Sequence, residues 1–191
     1  MNAHQPELDE IDRPIRLLGR EAVGAALSIE GHRVETQAAL RLGLAGLLGQ
    51  PYDGGRGLLY CPKAVKALAA WPLVRAPAEP ATVLRVGPAV RSDDPDNRPW
   101  VGWHQKLWET QTQQKNAIAG VDRWWQIRTV EPGRLLVVTV SGFVVLVARI
   151  TGHEHWQSLK HLHLDVDDRH PLNHTRLPTR AGGAVVEIEP S

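Results

Sequence analysis

The chain has 191 residues, of which 42% are hydrophobic and 23% charged, and its formal net charge is +1. This composition is typical of a globular protein and argues against a chain coated in positive charge. The single cysteine, Cys61, excludes an internal disulfide, and the polar, acidic N-terminus is unlike a signal peptide. The longest apolar run, residues 135–148, is too short and too β-branched for a membrane helix. We expect a cytoplasmic protein with no membrane partner.

Prolines divide the chain into two parts. Residues 72–99 contain six prolines and a polar loop, and they separate a helix-forming first part from an aromatic second part. We expect an acidic tail over residues 1–12 and a helical domain over 13–75. A proline-rich linker over 76–99, with the short strand "ATVLRVG", then leads to a Trp- and His-rich domain over 100–191. The predicted fold class is α+β, with a small mixed or barrel-like β domain after the helical one.

Short helices and one hairpin are predicted in the first domain. The stretch "GREAVGAALSIEGH" favours a helix that ends at Gly31, and "RVETQAALRLG" favours a second helix with Thr36 as its N-cap. The apolar "LAGLLGQ" is a further short helix or a turn. The "DGG" at residues 53–55 is typical of a tight hairpin turn, and Pro62 suits the first turn of a final helix.

The order of these elements over residues 36–71 resembles the winged helix-turn-helix of the excisionase and MerR-type families. "TQAALRLGL" is like the first helix and its turn, and "GGRGLLYCPKAVKAL" is like the wing and its supporting helix. The resemblance implies duplex DNA binding, with residues 44–50 in the major groove. It implies a set of DNA-contacting residues: Arg41, Gln50, Arg56, Lys63 and Lys66. Residues 31–75 carry six basic and two acidic side chains, which also favours an anionic partner.

The chain departs from that family in the segment expected to read bases. "LAGLLGQ" offers only Gln50 to base edges, and its glycines weaken a helix. Two alternatives therefore stay open: contact mainly with the DNA backbone, or a protein-interaction adaptor that exposes Leu44, Leu47 and Leu48.

The second domain combines a predicted helical stretch with strong β signals. Residues 100–128 favour helix, interrupted near Gly120. "RLLVVTV" and "FVVLVARI" are β-branched runs joined by "SG", which predicts a hairpin buried on both faces. "AVVEIE" predicts a further strand. The pattern is similar to that of PUA-like and ASCH-like barrels, and this similarity implies an RNA or nucleotide ligand.

The segment "DRWWQIR" holds the candidates for such a ligand. Aromatic faces stack on bases, and arginines neutralise phosphate. The candidate base-stacking residues are Trp124 and Trp125, flanked by Arg123 and Arg128. The alternative is that these tryptophans belong to the core, where large aromatic side chains usually lie.

Histidines cluster in the last forty or so residues. "HEHW" places His153 and His155 at strand spacing, and "HLHLDVDD" places His161, His163 and Asp165 on one strand face. Alternating imidazoles and carboxylates suit a divalent metal such as zinc, and therefore a metal-dependent nuclease or hydrolase. No spacing matches a strong zinc signature, and a solvated histidine-rich strand edge is the competing interpretation.

We therefore expect a regulatory, non-catalytic DNA-binding protein that needs no cofactor, whose second domain binds a nucleotide, a nucleic acid or a protein. The metal-dependent enzyme and the adaptor remain as alternatives, and a homodimer or another protein partner stays open.

Overall fold

The computed structural model describes residues 16–30, 32–93, 98–128, 130–178 and 183–190. The expected tail over residues 1–12 and Gly31 lie outside these ranges, but the helix predicted to end at Gly31 already ends at Leu27, where Ser28 adopts an extended conformation. The fold class is α+β, as predicted. The first part contains, in chain order, β1 (Leu18–Gly19), α1 (Arg20–Leu27), α2 (Thr36–Leu44), β2 (Tyr52–Asp53), β3 (Leu58–Tyr60) and α3 (Pro62–Ala69).

The second part is mainly β. It contains β4 (Ala81–Arg85), β5 (Val90–Arg91), β6 (Trp100–Val101), a 3-10 helix (Gln105–Trp108), α4 (Gln111–Ala119), β7 (Leu135–Val140), β8 (Phe143–Trp156), β9 (Leu159–Val166) and β10 (Val185–Ile188). The helix predicted over residues 100–128 is thus mostly absent, because only α4 is α-helical there. None of the described helices is long and apolar enough to cross a bilayer.

Residues 18–69 form what we call the helix–hairpin module. Strands β1, β3 and β2 lie side by side in that order as a small antiparallel sheet. The three helices bury one apolar stripe each against one another and against Tyr60. The stripes consist of Val23 and Leu27 in α1, Ala39 and Leu42 in α2, and Val65 and Leu68 in α3. Pro62 opens α3 as predicted, whereas α2 has Glu35 rather than Thr36 as its N-cap residue.

A five-stranded mixed sheet in the order β10-β4-β7-β8-β9 is the centre of the second part. The predicted hairpin is present, and its two turn residues, Ser141 and Gly142, have φ angles of 50° and 85°. A two-residue turn with positive φ at both positions matches the twist of paired strands. Every residue of β7 is buried, as the apolar run predicts. No pairing joins β10 to β9 among the described strands, so this sheet is open rather than a barrel.

Strand β4 corrects the expectation of a linker over residues 76–99. It lies inside the sheet, where it pairs in parallel with β7 and antiparallel with β10, and four of its five residues are buried. The prolines around it end the strand rather than mark an extended connection. The short strand expected here is therefore present, and it belongs to the core.

Arg176 and His32 connect the helix–hairpin module to the sheet. The buried Arg176 guanidinium donates to three carbonyl oxygens: Nε to Trp71 and Nη1 to Leu27, each at 2.7 Å, and Nη2 to Ala69. Leu27 and Ala69 end α1 and α3, so this arginine satisfies helix C-terminal carbonyls that lack intrahelical partners. The His32 ring lies 2.9 Å, through Nδ1, from the carbonyl oxygen of Leu177. One hydrophobic cluster extends across both parts.

Candidate functional site

The β2–β3 hairpin has an exposed, glycine-rich tip. The Gly54 amide donates to the Gly57 carbonyl at 3.0 Å, and the Gly55 amide donates to Asp53 Oδ1 at 2.9 Å. Gly55 and Gly57 have φ angles of 71° and 147°, which a residue with a Cβ adopts only with strain. Arg56 stands between them and is exposed. The hairpin therefore presents one cation at a tight tip.

The other predicted DNA-contacting residues are also on the surface. Lys63 and Lys66 are exposed on α3, Arg41 is exposed on α2, and Gln50 is exposed in the segment before the hairpin. Within the described parts of the chain, the side chains of these residues and of Arg56 form no hydrogen bond or ion pair. They are available to a partner without loss of an internal contact.

The segment expected to enter the major groove is not a helix. Helix α2 ends at Leu44, and residues 45–48 form consecutive turns, with φ of 78° at Gly46 and 71° at Gly49. Ala45 and Leu48 are fully buried, so this segment cannot insert into a groove. The expected leucine patch is also reduced to Leu44, because Leu48 is fully buried and Leu47 is half-buried.

Residues 44–50 are the segment expected to enter the major groove, but the exposed polar face lies on helix α2. Gln37 and Arg41, one helical turn apart, are exposed, whereas Ala39 and Leu42 are buried. Thr36 is exposed in the first turn. The 3.6-residue alternation of buried and exposed positions in "TQAALRL" was the signal that could have identified this face.

The histidines of β8 and β9 lie on two opposite faces of the sheet. In the antiparallel register, Glu154 is opposite His161, whereas His153 is opposite the buried Leu162. Cross-strand partners share a face and neighbours along a strand do not. His161 and His163 therefore lie on the same face as Glu154, and His153 lies on the other face with His155. The five candidate ligands are therefore not brought together at one site.

Glu154 joins the two imidazoles of β9. Its Oε1 lies 3.3 Å from His163 Nε2, and its Oε2 lies 3.7 Å from His161 Nδ1. One donor atom from each of the three residues falls within 4.8 Å of the other two, which is close enough for all three to hold one metal ion. Asp165, predicted as a ligand, is instead opposite Arg149 on β8 and is not in this group.

Asp122 contacts the same group from the loop that follows α4. Its Oδ2 lies 3.3 Å from His161 Nε2, and its Oδ1 accepts a hydrogen bond of 2.9 Å from Arg123 Nε. The Asp122 carbonyl accepts from the Leu162 amide at 2.7 Å, which ties this loop to β9. Sequence reasoning missed Asp122 and Glu154, because neither loop contacts nor cross-strand register can be seen in the spacing of one strand.

His153 and His155 form a separate pair on the opposite face. Their Nε2 atoms lie 2.9 Å apart. The pKa of His153 is lower than its usual value. Partial desolvation is the largest cause, and the charges of His155, Lys160 and His163 lower it further. The pair has only two donors, and the described residues place no third metal ligand beside it.

The candidate base-stacking residues differ in whether they pack into the core or lie at the surface. The Trp125 indole donates to the Val121 carbonyl at 2.6 Å and packs against the core, as the core interpretation expects. Trp124 is half-buried, with its ring 5.6 Å from that of Trp156 and 5.9 Å from that of His161. Arg128 is exposed. Both tryptophans also border a cleft of about 300 Å³, lined further by Arg85, Arg98 and Arg123.

The chain matches no protein-family model, no curated protein and no solved structure. Its function therefore has to be inferred from its own side chains. Three parts of the molecule offer side chains to a ligand: the exposed face of the helix–hairpin module, the end of β8 and β9 where imidazoles and carboxylates meet, and the cleft beside Trp124.

Proposed function

We propose that the helix–hairpin module binds duplex DNA, with α2 in the major groove and the β2–β3 hairpin as a wing along the backbone. The observation that carries this proposal is the strand order β1-β3-β2, with α1 and α2 between β1 and β2. In the winged helix-turn-helix that the chain resembles, the helix directly before the wing enters the groove. That position belongs to α2, not to residues 44–50.

The exposed face of α2 has side chains suited to base edges. The Gln37 amide can pair with adenine through N6 and N7, and the Arg41 guanidinium can pair with guanine through O6 and N7. Recognition helices contact bases mainly through their N-terminal residues, and Thr36 and Gln37 form the first turn of α2. That "LAGLLGQ" has no donor other than Gln50 therefore does not count against base reading.

The cations around this face suit the phosphate backbone. Arg56 at the hairpin tip and Lys63 and Lys66 on α3 are exposed and form no ion pair with a described residue. A cation that meets a phosphate releases condensed counterions, which strengthens binding at low salt. Gln50 is exposed ahead of the hairpin and lies outside α2, so it suits a backbone contact rather than a base contact.

Binding to duplex DNA across a salt series tests the proposal. The probe is first a pool of random duplexes and then the sequence enriched from that pool. Replacing Arg56, Lys63 and Lys66 together by Ala should flatten the dependence of affinity on salt by about one unit of slope per lost phosphate contact. Arg41→Ala should cost about 1–3 kcal/mol on the enriched sequence and much less on random DNA. Lys115→Ala, an exposed lysine on α4, is the matched control.

Two results would contradict DNA binding by this surface. One is the lack of any binding by the wild-type chain at low salt. The other is a loss in Lys115→Ala equal to the loss per residue in the triple variant, because binding would then follow total charge rather than the module.

A second candidate function belongs to the cleft beside Trp124. Its volume of about 300 Å³, its three arginines and its two indole rings fit an anionic ligand with a planar group, such as a nucleotide. Nucleoside monophosphates should quench tryptophan fluorescence, and Arg85→Ala should weaken this effect more than Arg91→Ala, an exposed control on β5. Equal effects of the two substitutions would exclude the cleft.

A further inference from the structure

We propose that Glu154, His161 and His163 bind a divalent transition-metal ion of the zinc type at the end of the β8–β9 hairpin. This site is separate from the DNA-binding surface and does not depend on it. Two of the residues come from β9 and one from β8, and the antiparallel register brings them to one face.

The distances between donor atoms match a tetrahedral ion. Two donors that are each about 2.0–2.1 Å from one tetrahedral zinc lie about 3.3 Å apart. The Glu154 carboxylate oxygens lie 3.3 Å from His163 Nε2 and 3.7 Å from His161 Nδ1. One donor atom from each of the three residues lies within 4.8 Å of the other two, so a single ion can lie among them once the side chains close on it. The same atoms within the same strands would not converge if the register shifted by one residue.

Asp122 orients one of the proposed ligands. A ligating histidine usually donates its second ring nitrogen to a carboxylate, which fixes the ring and raises its basicity. His161 has this arrangement, because Nδ1 faces Glu154 while Nε2 lies 3.3 Å from Asp122 Oδ2. Asp122 is itself nearly buried and is held by Arg123. His161 would therefore need little reorientation to bind the ion.

The types of donor atom indicate which ions would bind, and the exposure of the residues indicates whether water reaches the site. Two imidazoles and one carboxylate suit zinc, cobalt, nickel or copper, whereas magnesium and calcium prefer oxygen ligands throughout. Glu154 and His163 are exposed and His161 is half-buried, so solvent reaches the site. Three protein ligands leave a fourth position to water, which is the arrangement of an open rather than a closed zinc site.

Calorimetric titration of the tag-free full-length chain with zinc alone, at pH 7.5, tests this site. We expect one ion per chain. Glu154→Gln and His163→Gln should each abolish binding or weaken it by more than the roughly 10–100-fold that is typical when a partner of a ligand is lost, since each removes one of three ligands. Asp122→Asn should weaken binding less than either. The matched control is the double variant His153→Gln and His155→Gln, which removes two imidazoles on the opposite face and leaves Glu154, His161 and His163 in place.

Melting temperatures without metal show whether each variant is folded, and zinc should raise the melting temperature of the wild type and of the control but not of Glu154→Gln. If Glu154→Gln fails to fold, His163→Gln takes its place. The inference is overturned if the wild type binds no zinc, if the His153 and His155 double variant loses binding instead, or if magnesium competes equally with zinc.

Discussion

The exposed face of the helix–hairpin module and the end of β8 and β9 differ in how their charged groups are used. On the module, Arg41, Arg56 and Lys63 extend into solvent and contact no described acidic side chain. At the end of β8 and β9, Glu154 and His161 contact each other, and Asp122 is paired with Arg123. Unpaired, dispersed cations suit a large polyanion that brings its own geometry. Converging donors suit a small ion, whose coordination geometry the protein must provide.

The junction between the helix–hairpin module and the sheet differs from both of these surfaces, because its polar contacts are buried. Arg176 and His32 hold the module against the sheet through buried hydrogen bonds to main-chain oxygens. If these contacts carry the junction, damage there should affect the stability of the whole chain, whereas changes on either functional surface should leave it intact.

The largest effect is expected from Arg176→Met. Three carbonyl oxygens at or near the ends of α1 and α3 would lose their buried donor, and a methionine offers no replacement. We expect the free energy of unfolding in urea to fall by about 3–5 kcal/mol, because each buried carbonyl oxygen left without a donor costs about 1–3 kcal/mol. Arg169→Met, at an exposed position, is the control and should change little. A loss under about 1 kcal/mol for Arg176→Met would mean that the module does not depend on this junction.

A smaller loss is expected from Gly43→Ala, within the module itself. A Cβ at position 43 would overlap the Tyr60 ring, which is fully buried and has no room to move aside. Overpacking of this kind costs about 1–3 kcal/mol and outweighs the helix propensity gained from alanine. Gly87→Ala is the control, because a Cβ there meets nothing within 4 Å. If the two variants have equal free energies of unfolding, α2 and β3 are not packed closely enough for a Cβ at position 43 to clash with Tyr60.

The smallest expected effect is on the pH dependence of the unfolding free energy, and it concerns His32 at the same junction. Burial, which outweighs the opposing hydrogen bond to Leu177, keeps the pKa of His32 below its usual 6.5, and the Arg176 charge adds to the decrease. The unfolded chain therefore takes up a proton at His32 as the pH falls below about 6.5, while the folded chain resists it. Stability contributed by neutral His32 is complete above that pH and decreases with acidification.

Urea unfolding at several pH values between about 7.5 and 5 measures this dependence. His32→Asn keeps a donor for the Leu177 carbonyl but does not titrate, so its stability should fall less on acidification. His174→Asn is the control, because His174 is exposed and asparagine tolerates its φ of 58°. If His32→Asn shows the wild-type dependence, protons taken up elsewhere account for the acid sensitivity.

Local signals in the sequence predicted the elements whose contacts are also local. The β7–β8 hairpin follows from two β-branched runs around Ser141 and Gly142, and the start of α3 follows from Pro62. Strand β4 could not be placed in the same way. Its parallel partner β7 is distant in the chain, and the prolines on both sides of β4 suggested a linker.

The candidate sites were harder to predict, because they depend on contacts between elements. The spacing of β9 correctly put His161 and His163 on one face. The neighbouring strand, however, has a register irregularity between Ile150 and Gly152, so the sequence could not show that Glu154 rather than His153 would join them. On the module, the resemblance supplied only candidate DNA-contacting residues, and the exposed face of α2 depends on residues 45–48 being turns rather than a helix.

The most direct test of the central claim is a titration of the ¹⁵N-labelled chain with a short DNA duplex, followed by the amide chemical shifts. If the module binds DNA through α2 and the hairpin, amides of residues 36–41 and 54–57 should shift most. Amides of residues 153–163 should not shift. Shifts confined to β8 and β9, or no shifts at low salt, would contradict the assignment of DNA binding to the helix–hairpin module.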